Sequence, residues 1–279
     1  MPLFNLLKEM NHMKRYKAFL KRNFLEMSRD PIIYIFCLVF PLLMLSLFQV
    51  IQHYTAIKIP TFMAKNLVPG VMVFSYSFVM LLIALLVSKD RKSALLKRLY
   101  TSPMKTHEYI LGYLTPSYFV ALLQSIIILI FSFLLSLVLK ETYFSFTKAL
   151  LLILAMQPIL IINLSLGLLL GALLNDKAAP GLTSIFISAS GILGGAWMPL
   201  DTMGNFEKIC LFLPFYPSTY LGRIVVEGEH SFVDANGLPV FYNWDHNMKI
   251  GIISLTCYMI ISVLGAYFAF NHQMNSDQN

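Results

Sequence analysis

At 279 residues the chain has the length of one or two soluble domains, yet 57% of it is hydrophobic and only 13% charged, against about a quarter charged in ordinary soluble domains. That composition excludes a soluble enzyme and points to a protein that lives in a bilayer. The net charge of +7 needs no nucleic acid to explain it, because the basic residues collect on one side of the expected membrane topology, as set out below.

Residues 1–31 are the first predicted element. Leu3, Leu7, Met10, Met13, Leu20, Phe24 and Met27 recur at helical spacing, while Lys8, Arg15, Lys21 and Arg22 populate other faces. This predicts an amphipathic helix in the cytoplasmic interface, its lysine stems reaching toward headgroups. The alternative is a basic flank with no fixed structure. Asp30-Pro31 ends the helix, since the residue before a proline is driven out of helical geometry.

Six apolar runs follow, at 32–52, 68–88, 111–139, 149–174, 180–198 and 250–270. Runs of about 20 residues cross a hydrocarbon core of about 30 Å at about 1.5 Å per residue, and a helix satisfies its own backbone there. The expected fold class is therefore all-α and integral to the membrane, with a six-span domain over 32–270 and a cytoplasmic tail over 271–279. The fourth run carries Gly167 and Gly171, a G-x-x-x-G pair that suggests a tight helix contact. Residues 199–248 form the largest loop. Its first part keeps Phe206, Ile209, Leu211, Phe212 and Phe215 among Pro214 and Pro217, which suits short helices re-entering the outer leaflet. Its second part is polar and turns at Asn236-Gly237.

Lysine and arginine placement orients the spans. One side holds Lys8, Lys14, Arg15, Lys17, Lys21, Arg22, Arg29, Lys89, Arg91, Lys92, Lys97, Arg98, Lys105 and Lys177. The other holds Lys58, Lys65, Lys140, Lys148, Lys208, Arg223 and Lys249. The richer side is cytoplasmic, so both termini are expected in the cytoplasm.

Several chemistries are missing from the sequence. None of the six runs contains Asp, Glu, Lys or Arg. Carriers coupled to protons or sodium usually keep such groups despite a cost of about 2.5–3.5 kcal/mol each. His230, Asp234, Asp245 and His246 have no ligand spacing and read as solvated loop residues, and Cys37, Cys210 and Cys257 form no close motif. No metal site and no catalytic set is expected. No cleavable leader is read at the N-terminus. No phosphate loop occurs, for the chain has no Gly-Lys pair; any ATP and Mg must be used by another polypeptide.

Two segments carry the functional signal. In the loop 89–108, Leu95, Leu96 and Leu99 make a short apolar stripe bordered by Arg91 and Arg98, and Ser102-Pro103 stops the helix. Such a helix suits docking in a groove of a soluble partner; a solvated turn or a second interfacial helix would read the same way. Near the other surface, Gly191, Gly194 and Gly195 permit close approach or a break, Trp197 suits the interface belt, and Pro199 follows.

Together these segments resemble the ABC-2 type family, the membrane subunits of bacterial ATP-driven exporters. The resemblance rests on Arg98-Leu-Tyr-Thr-Ser-Pro-Met-Lys105 after the second span, Gly194-Gly-Ala-Trp-Met-Pro199 closing the fifth, and Pro217-Ser-Thr-Tyr220 with Arg223 beyond it. It covers nearly the whole chain; the polar stretch 228–247 looks longer than in compact members. The resemblance implies a second permease subunit, identical or paralogous, and two ATP-binding subunits, each docked by the loop around Lys89–Tyr100. It implies a cavity lined by the second and fifth spans, here Phe74, Tyr76, Phe78, Met80, Ser184, Ser188 and Ser190, with Gly194, Gly195, Pro199, Pro217 and Tyr220 at the outer gate. For each lining residue the plainer alternative is helix packing. An aromatic, Met-rich lining suits a drug-like, peptide or lipid-like amphiphile. The competing readings are a permease for a lipid-linked polysaccharide and a membrane scaffold or sensor that transports nothing. The expected location is a bacterial cell membrane.

Overall fold

The computed structural model describes residues 2–31, 33–56, 59–93, 96 and 104–278, with side chains described from residue 14 to 275 apart from that of Ile33. Helix α1 (Pro2–Arg29) is followed by a π-helical turn (Ile33–Val39) that runs into α2 (Phe40–Tyr54). Next come α3 (Ala64–Lys92), α4 (Thr106–Leu139), α5 (Phe146–Ala155), α6 (Gln157–Leu173) and α7 (Ala178–Leu193). The long segment 194–245 holds α8 (Asn205–Leu211), α9 (Phe215–Val225) and a hairpin of β1 (Glu229–Val233) and β2 (Pro239–Phe241). Helix α10 (His246–Gln278) closes the chain and runs unbroken through the expected tail boundary at 270.

Among the described residues, five helical segments are long and apolar enough to cross a membrane: Tyr34–Tyr54, Ala64–Lys92, Thr106–Leu139, Phe146–Leu173 and His246–Asn275. The fifth expected run, 180–198, is a shorter apolar helix. It stops at Leu193 and covers 16 residues, about 24 Å at helical rise. Gly195 turns the chain there with φ of +66°, a conformation that favours glycine. The fourth run is helical but broken at Met156, ahead of Pro158. Gln157 repairs the break: its Nε2 donates to the Ile153 carbonyl at 2.8 Å, and the Tyr118 hydroxyl donates to its Oε1 at 2.8 Å.

Helix α3 is the centre of the molecule. Its sequence is apolar on every side, and such a helix is stable only when surrounded; here α2, α4, α6, α7 and α9 pack around it. The G-x-x-x-G expectation is met against this helix. A Cβ at Gly167 would stand 2.6 Å from the Met80 carbonyl oxygen, and one at Gly171 would stand 2.7 Å from Val87 Cβ. α10 lies along the far side of α6 with Ile253, Ile260, Ile261 and Phe268 exposed.

Helix α1 rests on α4 through Phe19, Asn23 and Met27, at i, i+4, i+8 spacing. The apolar stripe read from the sequence is thus divided: Met27 is buried, but Phe24 remains exposed beside Leu25. The hairpin is a departure from an all-α fold. Its turn is at the expected Asn236-Gly237, where Gly237 has φ of +78° and Asp234 Oδ1 accepts from the N–H groups of Asn236 and Leu238. The strands pair in antiparallel register, Glu229 with Phe241 and Val233 with Pro239.

Candidate functional site

At the C-terminal end of α3, four consecutive side chains tie the helix to α1, α4, α6 and the turn after α6. Asp90, only 1% exposed, accepts two bonds from the Arg22 guanidinium, one of them at 2.6 Å, and a third from the Tyr113 hydroxyl at 2.8 Å. Bidentate guanidinium–carboxylate pairs are directional as well as charged, so this contact fixes α1 against α3. Asn23 adds a bond to the Gly112 carbonyl on α4 at 2.9 Å. Lys89 reaches Glu26 at 2.8 Å and Lys92 reaches Asp176 at 2.6 Å. Arg91 turns inward, its Nη1 donating to the carbonyls of Gly171, Ala172 and Leu174. A cation at a helix C-terminus satisfies the last carbonyls and opposes the negative end of the dipole.

Of the five residues expected to couple to a partner, Arg91 is therefore a cap on α6, and Leu96 is buried in the chain's own core. Leu95, Arg98 and Leu99 lie outside the described residues. Asp90 was not singled out from the sequence. The available signal was an acid standing alone among Lys89, Arg91 and Lys92 at the end of a span, a position that calls for a private partner.

At the N-terminal end of α3 a second cluster joins the turn after α7 to the hairpin. Arg223 is completely buried. Its Nε donates to the Asn66 carbonyl at 3.1 Å, Nη1 to the Tyr242 hydroxyl at 3.0 Å, and Nη2 to the Gly195 carbonyl at 2.6 Å. Asp201 Oδ2 accepts from Ser231 N–H at 2.6 Å and the Tyr242 hydroxyl at 3.3 Å, with His230 Nδ1 at 3.2 Å. Burial raises the Asp201 carboxyl, but the His230 ring, the Ser231 N–H and the Arg223 charge outweigh it and hold it below the usual carboxylate range. Asn66 clasps β1, donating to the Glu229 carbonyl at 2.6 Å and accepting from its N–H at 3.1 Å.

The expected gate residues gather around this cluster. Gly194 and Gly195 make the turn, Pro199 leads into Asp201, Pro217 packs on Gly251 of α10, and Tyr220 sits edge-on to Tyr216 and Tyr242. Trp197 is wedged between helices: it stacks on Phe48 of α2 at 5.8 Å and meets the Phe74 ring edge-on at 4.7 Å. His230 joins Asp201, whereas Asp234 serves the hairpin turn and Asp245 caps α10 at Met248 N–H. No group of three metal-ligating side chains occurs among the described residues.

The expected cavity residues are split between two surfaces. Phe74, Tyr76, Phe78 and Met80 are all buried within the chain, and the Tyr76 hydroxyl pairs with Ser125 at 2.7 Å. Ser190 faces inward too, receiving a bond from Ser77 at 2.8 Å. Ser184 and Ser188 point away from α3, on an exposed face of α7 with Leu182, Ile185 and Ile192.

No curated protein matches this sequence. A family model described as ABC-2 type transporter matches residues 14–226, from α1 through α9. Both clusters on α3 fall within that match except for residues 229–231 and Tyr242 of the second, and α10 follows it. Spanning well over half of the 279 residues, the match shows that the chain belongs to the ABC-2 type transporter family, whose members are multi-pass membrane subunits of ABC transporters that generally work with an ATP-binding subunit.

Proposed function

We propose that the chain is the permease of an ABC exporter moving a drug-like, peptide or lipid-like amphiphile, with ATP and Mg bound by a separate subunit. The observation that carries this reading is the anchoring of the end of α3. Asp90, Arg91, Lys89 and Lys92 lock that end to α1, α4, α6 and the turn after α6. A push on the loop 94–103 would then move the central helix as a body instead of fraying its last turn. In this reading Arg91 and Leu96 root the loop, and Leu95, Leu99 and Arg98 meet the ATP-binding subunit. Two permeases, identical or paralogous, face each other. The exposed Ser184 and Ser188 face of α7 supplies the polar edge of the cargo path, with Gly194, Gly195, Pro199, Pro217 and Tyr220 forming its outer gate.

The same reading gives six crossings, with α7 as the short fifth, both termini cytoplasmic and the protein in a bacterial cell membrane. Lys177 before α7 belongs to the basic side. α1 lies in the inner interface with Phe24 and Leu25 toward lipid, and α8 dips its exposed Phe206, Ile209 and Phe212 into the outer leaflet.

Two measurements test it. Cysteine labelling in right-side-out and inverted vesicles should place Ser93→Cys inside and Asn236→Cys outside; labelling of Asn236→Cys only in inverted vesicles overturns the six-crossing topology. In cells coexpressing the ATP-binding subunit, the double variant Leu95→Ala and Leu99→Ala should insert normally but lose partner pull-down and efflux. Each deleted buried methylene is worth about 0.8 kcal/mol, so affinity should fall at least about tenfold. Unchanged pull-down, ATP hydrolysis and efflux would refute the coupling role.

A further inference from the structure

The first crossing starts irregularly, and the sequence explains why. Pro41 has no N–H, so it cannot donate to the carbonyl four residues earlier, that of Cys37, and its ring crowds that carbonyl. The backbone responds with the π-helical turn Ile33–Val39 immediately before α2. π turns inside helices are uncommon and often stand at functional positions. In lipid a carbonyl left unpaired is costly. Here the orphan is served from another helix: Gln124 Nε2, on α4, donates to the Cys37 carbonyl and also reaches the Ser75 carbonyl of α3 at 3.2 Å. Gln124 is completely buried, and its own Oε1 has no hydrogen-bond partner.

An amide buried among spans, with half its capacity unused, is a poor choice for stability alone. Two apolar side chains and an unbroken α-helix would satisfy every group. The position instead suits a joint. Phe36 and Phe40 project from the turn onto Phe78 and Phe74 of α3, with ring centroids 6.0 Å and 5.8 Å apart. Conversion of the π turn to regular α-helix removes one residue's worth of bulge and rotates the flanking segments by about 100° relative to each other. That rotation would carry both rings off α3.

We infer that Pro41 and Gln124 form a latched hinge in the first crossing, Pro41 creating the weak point and Gln124 holding it closed against α3 and α4. The hinge itself stands apart from the transport reading; its use in a transport cycle rests on that reading. Gln124 acts as a positioning residue.

The test uses the full chain in lipid nanodiscs, read by peptide-level hydrogen–deuterium exchange. Gln124→Met keeps volume but removes the donor, and should speed exchange of 34–41 by about three- to tenfold, the range expected for one interhelical bond in a membrane, with α6 and α10 unchanged. Pro41→Ala restores the missing N–H, so the double variant Pro41→Ala and Gln124→Met should return to slow exchange. If Gln124→Met does not fold, Gln124→Asn, too short to reach, serves in its place. Unchanged exchange in the single variant, or a double variant as fast as the single, overturns the latch. With the ATP-binding subunit bound, spin labels at Arg29→Cys and Tyr54→Cys in a Cys257→Ser background should change separation on ATP trapping, and Pro41→Ala should abolish that change. A constant separation in an active complex overturns the hinge's role in the cycle. Failure of any ATP-binding subunit to associate overturns the transport reading instead, and the exchange result stands regardless.

Discussion

The two ends of α3 each carry an arginine near an aspartate, but the pairs are built in opposite ways. At the C-terminal end Arg22 and Asp90 touch directly through two bonds, and the Arg22 side chain keeps 34% of its surface exposed. At the N-terminal end Arg223 and Asp201 do not pair directly; Tyr242 stands between them, accepting from the arginine and donating to the acid. Arg223 spends its other donors on the carbonyls of Asn66 and Gly195. A pair whose arginine is partly in water can trade some of that arginine's bonds for water, though the buried Asp90 still needs its own partners. A buried arginine spread over three acceptors cannot, because opening strands every one of them. The first cluster is thus a partly screened tie that holds α1 and α4 to the end of α3, and the second a fully desolvated tie between α3, the turn after α7 and the hairpin.

The largest effect should come from breaking the outer tie. Arg223→Met removes three bonds and leaves the Asp201 charge buried, which costs about 3–5 kcal/mol, and thermal unfolding in detergent should show the loss as a large fall in Tm or as failure to accumulate. Arg223→Lys should be nearly as damaging, since a single ammonium cannot address three acceptors in a plane. A Tm within a degree of the parent for either variant would remove the distinction between the two ends.

The inner pair should respond less and in a different manner. Asp90→Asn keeps the shape but not the charge, and should cost about 1–2 kcal/mol after allowance for the exposed part of Arg22. The penalty should shrink in high salt, where screening weakens the parent pair. Exchange of the two residues, Arg22→Asp with Asp90→Arg, should recover part of the stability lost by either single change. A salt-independent penalty equal to that of Arg223→Met would show the two clusters to be alike.

Acid should produce the smallest effect, and Asp201 is where to read it. The Asp201 carboxyl is held below its ordinary range, so its contribution is present above the unfolded value of about 3.9 and is lost as pH falls through the lower, folded value. Thermal unfolding followed downward from pH 5 should therefore lose this increment only below about pH 4, and Asp201→Asn should lack it. Loss of the same increment in both proteins would assign it to other carboxyls.

Much of this arrangement can be read from residues, and the reasons for the exceptions are physical. The G-x-x-x-G pair on α6 pointed to a tight contact, and Gly167 and Gly171 make it on α3, because small residues at one-turn spacing leave a groove only a backbone can fill. The turn at Asn236-Gly237 was legible because turn chemistry is local. The strands on either side were not, being three to five residues long and held to the protein by the side chain of Asn66, 163 residues away. Arg91 looked like a border of a docking ridge by its spacing from Leu95 and Leu99; it caps α6 instead, and nothing in the spacing names which helix end would arrive beside it. Trp197 matched the interface belt by composition, but packing drew it in among Phe48 and Phe74.

Run length alone points to a multi-pass helical membrane protein, because the bilayer imposes one thickness and one backbone rule on every span. Hydropathy does not rank the spans, however. Which of them became the central helix, which side chains met at its two ends, and where the Cys37 carbonyl orphaned by Pro41 found its donor were decided only in three dimensions. Those choices draw on partners up to 157 residues apart in the chain, a separation across which no local pattern carries information.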